Sequence, residues 1–101
     1  MPKVLTSIEI DNEASAHYTV VEVYTADRLG VLFRITYTLH QLGLSIHVAK
    51  ISTNVDQVAD VFFVTTDRGD KVEDSSRIEA IRQTLHASLV PDDERIAAPL
   101  H

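Results

Sequence analysis

The chain has 101 residues, of which 45% are hydrophobic and 24% charged, with a formal net charge of −6 and no cysteine. This length and composition indicate one globular domain with a modest core. The negative charge, without a cluster of Lys or Arg, disfavours nucleic acid and anionic membranes as partners. The lack of cysteine excludes a disulfide framework, and no apolar run is long enough to span a membrane, so we expect a cytoplasmic protein.

The first two predicted strands cover residues 4–10 and 18–24. Alternating apolar residues, Val4, Ile8 and Ile10, give the first strand one apolar face. The second strand is rich in β-branched and aromatic residues, which favour extended structure. Residues 11–15 are polar or small and form the predicted turn between the two strands.

A short polar turn then leads directly into the first predicted helix. The helix is indicated by apolar residues at helical spacing: Val31, Leu32, Ile35, Leu39 and Leu42. Gly30 is expected in its first turn, where the missing Cβ lets another group approach the backbone. The first amides of a helix lack intrahelical partners and carry partial positive charge, so a carboxylate can bind them. An ordinary glycine turn explains the same pattern.

Two further strands, residues 44–53 and 58–66, are predicted to form a hairpin after Gly43 ends the helix. A phase change in the apolar alternation predicts a β-bulge near Val48 and Ala49. The strand 58–66 is apolar on both faces, so we expect it to be central and buried on both sides.

The second helix is predicted from Asp74 to Leu89, with Ser76 and Glu79 as a capping box. A single domain then covers residues 1–90, and residues 91–101 form a tail that we expect to be loosely packed.

These elements predict an α+β, ferredoxin-like two-layer sandwich with two helices on one face of a four-stranded, mainly antiparallel sheet. The N-terminal strand would complete the sheet beside residues 18–24. The expected strand order is 4–10, 18–24, 58–66 and 44–53, with all neighbours antiparallel except the pair 18–24 and 58–66.

The succession of motifs resembles the ACT domain family over roughly residues 4–89. The motifs are Asp27-Arg-Leu-Gly-Val-Leu32, Ile46-His-Val-Ala-Lys-Ile51 and Asp60-Val-Phe-Phe-Val64. The last two of these motifs, together with residues 11–15 and Lys71, resemble one version of the family most closely. It is the ACT domain at the C-terminal end of bifunctional uridylyltransferase/uridylyl-removing enzymes that act on the nitrogen signal protein PII. That family usually has proline where this chain has Leu29.

The resemblance implies a regulatory, non-catalytic domain without a cofactor that binds an amino acid, glutamine in this version of the family. The implied ligand residues come from the turn of one ACT unit and a strand of another: Asp27, Leu29, Gly30, Val31, Leu32, Ser45 and His47. The Asp27 carboxylate would receive the ligand ammonium group, unless it simply caps the helix. His47 either lines a pocket or is a half-exposed strand histidine, and we expect it to share a face with Ser45 and Ala49.

The expected partners are a small amino acid, a second ACT unit and the catalytic domains of a parent enzyme, but not nucleic acid or membrane. No nucleotidyl-transfer, phosphate-loop or nucleophile motif is present, and the five histidines lack the short spacing of metal ligands. Two other functions remain open at this stage. One is a ligand-free structural pairing module, and the other, disfavoured by the acidic charge, is single-stranded RNA binding. If the resemblance holds, the chain is either a fragment of such an enzyme or a free-standing ACT protein.

Overall fold

The computed structural model describes residues 5–90. The elements follow the order β1 (Ser7–Asp11), β2 (Thr19–Ala26), α1 (Val31–Gln41), β3 (Leu44–Lys50), β4 (Thr53–Asn54), β5 (Gln57–Thr66) and α2 (Ser75–Leu89). This is the predicted ferredoxin-like α+β arrangement. Val4 and the tail 91–101 fall outside the described residues.

The sheet has the order β1-β2-β5-β3, and the two-residue strand β4 also pairs with β5. The N-terminal strand therefore completes the sheet as predicted, with Ser7 opposite Tyr24 and Asp11 opposite Val20. The predicted parallel pair is wrong, because β2 and β5 are antiparallel like the other described pairs. The reason is topological: α1 returns the chain so that β3 runs in the direction of β2, and the hairpin then reverses β5 between them.

The core lies between one face of the sheet and both helices. It contains buried apolar residues of every long element, together with Val72 from the loop between β5 and α2: Ile8, Val21, Val23, Val31, Ile35, Leu39, Leu44, Val58, Phe62, Val64, Val72, Ile81, Leu85 and Leu89. The strand β5 is central as predicted, but only its helix-side face is fully buried. Residues on the opposite, open face, such as Val61 and Phe63, are half-buried.

The predicted bulge is present but lies one residue earlier, at His47. The pairing of β3 with β5 shifts between Ile46 and Val48, which leaves His47 as the extra residue. After the shift, Ala49 lies opposite the core residue Phe62. The expectation that Ala49 shares a face with Ser45 and His47 is therefore wrong, because the bulge reverses the alternation between them.

The predicted strand 44–53 is interrupted at Ile51 and Ser52. The Ser52 amide donates to Asp60 Oδ1 at 3.1 Å, and the Ser52 carbonyl oxygen accepts from the Ala59 amide at 2.8 Å. A side chain thus replaces one bond of the backbone ladder, and the strand resumes as β4.

The helix α2 begins at Ser75 and is capped by Asp74, whose Oδ1 accepts from the Ser76 amide at 3.0 Å. The predicted capping box is wrong, because Asp74 already occupies the N-cap position. Glu79 instead accepts from Gln83 Nε2 and forms an ion pair with Arg82.

Candidate functional site

The link between β2 and α1 is a tight turn over residues 28–31. The Val31 amide donates to the Arg28 carbonyl oxygen at 3.0 Å, and Gly30 has φ 78° and ψ 7°. These angles are those of the third residue of a type II turn, which requires positive φ and so favours glycine. Gly30 is therefore the N-cap of α1 rather than a residue of its first turn.

The N-terminus of α1 has no side-chain cap. The alternative in which Asp27 caps this helix is wrong, because only the Asp27 amide is engaged, donating to the Asp56 carbonyl oxygen at 2.8 Å. The Asp27 side chain is exposed, and the structure records no hydrogen bond to its carboxylate. The Asp27 carboxylate thus lies beside the positive end of the helix but does not cap it.

The amides at this end differ in their availability. Val31 donates within the turn, and Arg34 donates to the Gly30 carbonyl oxygen at 2.9 Å. Among the described residues, no acceptor is recorded for the amides of Leu32 and Phe33. These two donors, rather than that of Val31, are available to an anion.

The turn forms one wall of a cleft of about 460 Å³, lined by Asp27, Arg28, Leu29, Gly30, Val31, Leu32 and Phe33. All of the lining residues belong to one continuous segment. The side chain of Leu29 is fully exposed at its edge. A small molecule placed in this cleft would contact protein on one side only.

Two arginines, Arg28 in the turn and Arg34 in α1, donate hydrogen bonds to the end of α2. Arg28 Nη2 donates to the Leu89 carbonyl oxygen, and Arg34 Nη1 donates to that of Ser88 at 3.3 Å. Cations are favourable at the C-terminal end of a helix, where carbonyl oxygens lack intrahelical partners. No local signal in the sequence predicts this role of Arg28, because the contact spans 61 residues.

The strand residues of the predicted site lie elsewhere in this chain. Ser45 is opposite Thr65, whereas Ala26, just before the turn, is opposite Gln57, eight positions along β5. At the usual rise per strand residue, that separation is about 25 Å. One chain therefore does not bring Ser45 and His47 to the turn.

His47 is exposed on the open face of the sheet. Its Nε2 lies 2.8 Å from Thr65 Oγ1, and its ring centroid lies 5.1 Å from that of Tyr18. Nearby, Lys50 Nζ lies 5.3 Å from the centroid of the Phe63 ring. These aromatic and basic side chains form a small group on the open face of the sheet.

Asp60 is a buried acidic residue that was not among the predicted ligand residues. It is only 1% exposed, and burial raises the pKa of its carboxyl, while the Ser52 amide lowers it and the charge of Asp27 raises it further. The sequence did carry a signal, since Asp60 occupies the same face of β5 as Val58 and Phe62.

Other kinds of site find little support in residues 5–90. No group of three potential metal ligands occurs in that range. None of the helices described there combines the length and apolarity needed to cross a membrane. The RNA-binding alternative loses one of its two neighbouring aromatics, because Phe62 is fully buried in the core and cannot stack on a base.

Comparison with known proteins decides the family. The family model described as the ACR family N-terminal ACT domain matches residues 14–91. The chain belongs to the ACT domain family. The resemblance drawn from its motifs is thereby confirmed, and an ACT domain is a regulatory module.

The chain is also similar to bifunctional uridylyltransferase/uridylyl-removing enzymes. It is 43% identical over 91 residues to that of Azospirillum brasilense, covering 89% of this chain and 9% of the enzyme. It is 39% identical over 90 residues to that of Cereibacter sphaeroides, covering 89% and 10%. It is 42% identical over 82 residues to that of Gluconobacter oxydans, covering 81% and 9%. No solved structure matches the chain significantly.

The chain therefore spans about a tenth of the length of these relatives. What it shares with them is an ACT domain.

Proposed function

We propose that this ACT domain senses an amino acid, glutamine by its resemblance to the nitrogen-regulating enzymes, and does so as a non-catalytic regulatory domain. The observation that carries the proposal is the uncapped N-terminus of α1 with the free Asp27 carboxylate beside it. A zwitterionic amino acid carries one group of each charge, and this turn offers a complement to both.

The ligand carboxylate would accept hydrogen bonds from the amides of Leu32 and Phe33. The positive end of the helix dipole favours a negative group there, and left-handed Gly30 carries no Cβ that would crowd it. The ligand ammonium would bind Asp27, whose carboxylate has no recorded hydrogen-bond partner in residues 5–90. Charge-assisted hydrogen bonds of this kind are about twice as strong as neutral ones.

The second wall of the site would come from the strand β3 of another ACT unit, with Ser45 and His47 facing the ligand. The exposed apolar side chains of both surfaces support such a contact. On one side are Leu29 and the stacked pair Phe33 and Tyr37, and on the other are Val48 and Ile51. Burying apolar area from both units would stabilise the complete site.

The bound amino acid would act by shifting the population of two arrangements of paired ACT units. It can do so only if it binds one arrangement more tightly than the other. Catalytic domains of a parent enzyme would read that shift and adjust nitrogen metabolism accordingly.

The second candidate function is a structural pairing module without a ligand. The same exposed side chains favour it, because Leu29 and Phe33 are 106% and 70% exposed and would be covered by any partner. The two functions differ only in whether an amino acid binds.

The test is calorimetric titration of glutamine into the 101-residue chain and into a tandem protein in which two copies are joined by a flexible linker. Asparagine, glutamate and alanine serve as ligand controls. We expect saturable heat with glutamine, stronger in the tandem protein because both walls are then present at high effective concentration. No heat at millimolar glutamine in either protein would contradict the sensor and leave the pairing module.

A further inference from the structure

Asp60 presents a carboxyl group that the protein itself does not satisfy. It lies on the helix-side face of β5 between Val58 and Phe62, which are both core residues. Its Oδ1 accepts from the Ser52 amide, whereas its Oδ2 is buried and has no hydrogen-bond partner among the described residues. An unpaired buried polar atom is costly, so its presence calls for a reason.

No described cation pairs with this group. The neighbouring β2 residue in the ladder is Val23, and the buried residues that the two helices turn inward carry no charge: Val31, Ile35, Thr38, Leu39, Ile81, Leu85 and Leu89. The one charged group recorded as acting on Asp60 is Asp27, which has the same sign. Arg28, which follows Asp27 in the chain, donates to the Leu89 carbonyl oxygen instead. Asp60 is therefore not half of an internal ion pair.

Asp27 and Asp60 lie at the same end of the sheet. Ala26 is opposite Gln57, only three positions before Asp60 on β5, and Asp27 follows it directly. The carboxylates are close enough for the charge of one to act on the other. A cationic group placed between them would relieve their repulsion and supply the missing partner of Oδ2.

We propose that Asp60 is a second carboxylate of the ligand site, whose Oδ2 accepts a hydrogen bond from the ammonium group of the bound amino acid. This inference rests on the proposed function and extends its site from the surface turn into the core. Asp27 makes the exposed contact and Asp60 the buried one. Because two carboxylates together favour a cationic group, the site binds amino acids in preference to simple carboxylic acids.

Because Asp60 Oδ2 is closed to solvent, a ligand reaches it only if the neighbouring segment of the chain moves on binding. The segment 51–56 is suited to that movement, since all six of its residues are exposed and its Ser52 contacts Asp60. Val55 in this segment has φ 54°, a left-handed conformation that β-branched residues rarely adopt. The segment continues β3, so ligand binding at Asp60 reaches the edge at which the second ACT unit would dock.

The ligand also changes the protonation of Asp60. Burial raises the pKa of the free carboxyl, and an adjacent ammonium lowers it again. Where Asp60 is partly protonated, binding therefore converts its carboxyl to carboxylate and releases that proton to solvent.

The test compares the unchanged protein with its Asp60→Asn and Asp67→Asn variants. It uses the 101-residue chain or the tandem protein, whichever binds glutamine more tightly. Asparagine keeps an oxygen for the Ser52 amide, and Asp67 is an exposed aspartate at the opposite end of β5. Glutamine is titrated at pH 5 and 7.5 in pairs of buffers with different ionisation heats, which gives the number of protons released. We expect about tenfold weaker binding in Asp60→Asn, the loss of one charge-assisted hydrogen bond, and no change in Asp67→Asn.

In the unchanged chain we expect proton release that is larger at pH 5 than at pH 7.5, because the pKa of Asp60 is raised, and in Asp60→Asn we expect this difference to disappear. Unweakened binding by Asp60→Asn, or no such difference in the unchanged chain, overturns the inference while glutamine binding itself still supports the proposed function. If Asp60→Asn does not fold, the inference is tested by proton release from the unchanged chain alone. Absence of glutamine binding in the unchanged chain overturns the proposed function and this inference together.

Discussion

At the scale of single residues, the turn over residues 28–31 determines what the candidate site can do. Its type II geometry places Gly30 in the left-handed region, and the amides of Leu32 and Phe33 have no recorded partner in the described part of the chain. Arg28 in the turn and Arg34 in α1 donate to carbonyl oxygens at the end of α2, and these hydrogen bonds restrict movement of the two amides. Pre-organised donors bind an anion with little ordering cost.

Leu29 is the second residue of this turn, the position that proline favours in type II turns. No hydrogen bond of its amide is recorded among the described residues, so Leu29→Pro loses none. We expect a gain in the free energy of unfolding of about 0.4–1 kcal/mol, because proline restricts the unfolded chain. Chemical denaturation measures the gain, and glutamine affinity should be unchanged or higher. A loss of stability would show that the turn is not of this type.

Gly30→Val tests the proposed approach of the ligand carboxylate. The space around the missing Cβ is open, but φ of +78° strains any branched residue, at a cost of about 1–2 kcal/mol. Gly69→Val is the matched control, since Gly69 has φ of +89°, equally open surroundings and a place at the other end of β5. We expect similar losses of stability in thermal melts but weaker glutamine binding in Gly30→Val only. Equal affinities would remove the turn from the site.

At the scale of elements, β3 is the edge that a second ACT unit can use. It forms the edge of the sheet opposite β1. Val48 in β3 and Ile51 directly after it are 43% and 48% exposed. Exposed apolar edges readily pair with other chains unless they are covered. The bulge at His47 increases the local twist and directs Val48 to the open face.

We therefore predict that the chain forms a homodimer that depends on this edge. Sedimentation at high micromolar concentration should give twice the monomer mass, and the double substitution Val48→Lys with Ile51→Lys should give monomers. Leu5→Lys is the control, because Leu5 is 79% exposed and lies next to β1 at the opposite edge. A chain that stays monomeric without any substitution would contradict the prediction.

At the scale of the whole molecule, Asp60 links the stability of the fold to pH. Its pKa is raised in the folded state, chiefly by burial, so the native protein binds more protons than the unfolded chain between the two pKa values. The free energy of unfolding contributed by this group therefore falls as pH rises from the unfolded pKa, about 3.9, through the folded one.

We expect Asp60→Asn to melt at a higher temperature than the unchanged chain at pH 7, and at a similar temperature near pH 3.5. Removing a buried, incompletely paired charge should raise the free energy of unfolding by about 1 kcal/mol or more. Each kcal/mol raises the melting temperature of a domain of this size by about 4–8 °C. Thermal melts across this pH range measure the difference. A variant that is less stable at pH 7 would show that the Asp60 charge stabilises the fold.

Local patterns in the sequence determined the element order, both helices and the N-terminal strand beside β2. Helical spacing, β-branched alternation and the glycine after α1 act over a few residues, so they can be recognised without a structure. The same patterns placed Asp27 and Gly30 next to an exposed helix N-terminus. These features follow from short-range sterics and from amphipathic faces that must be buried together.

Tertiary structure alone decided strand direction, the position of the bulge and the surroundings of Asp60. The antiparallel pairing of β2 with β5 depends on where the hairpin inserts, and the bulge depends on the register of β3 against β5. Likewise, Arg28 finds its acceptor 61 residues away on α2. Such contacts join residues that are distant in the chain, and the free energy that selects them comes from packing, which no local pattern records.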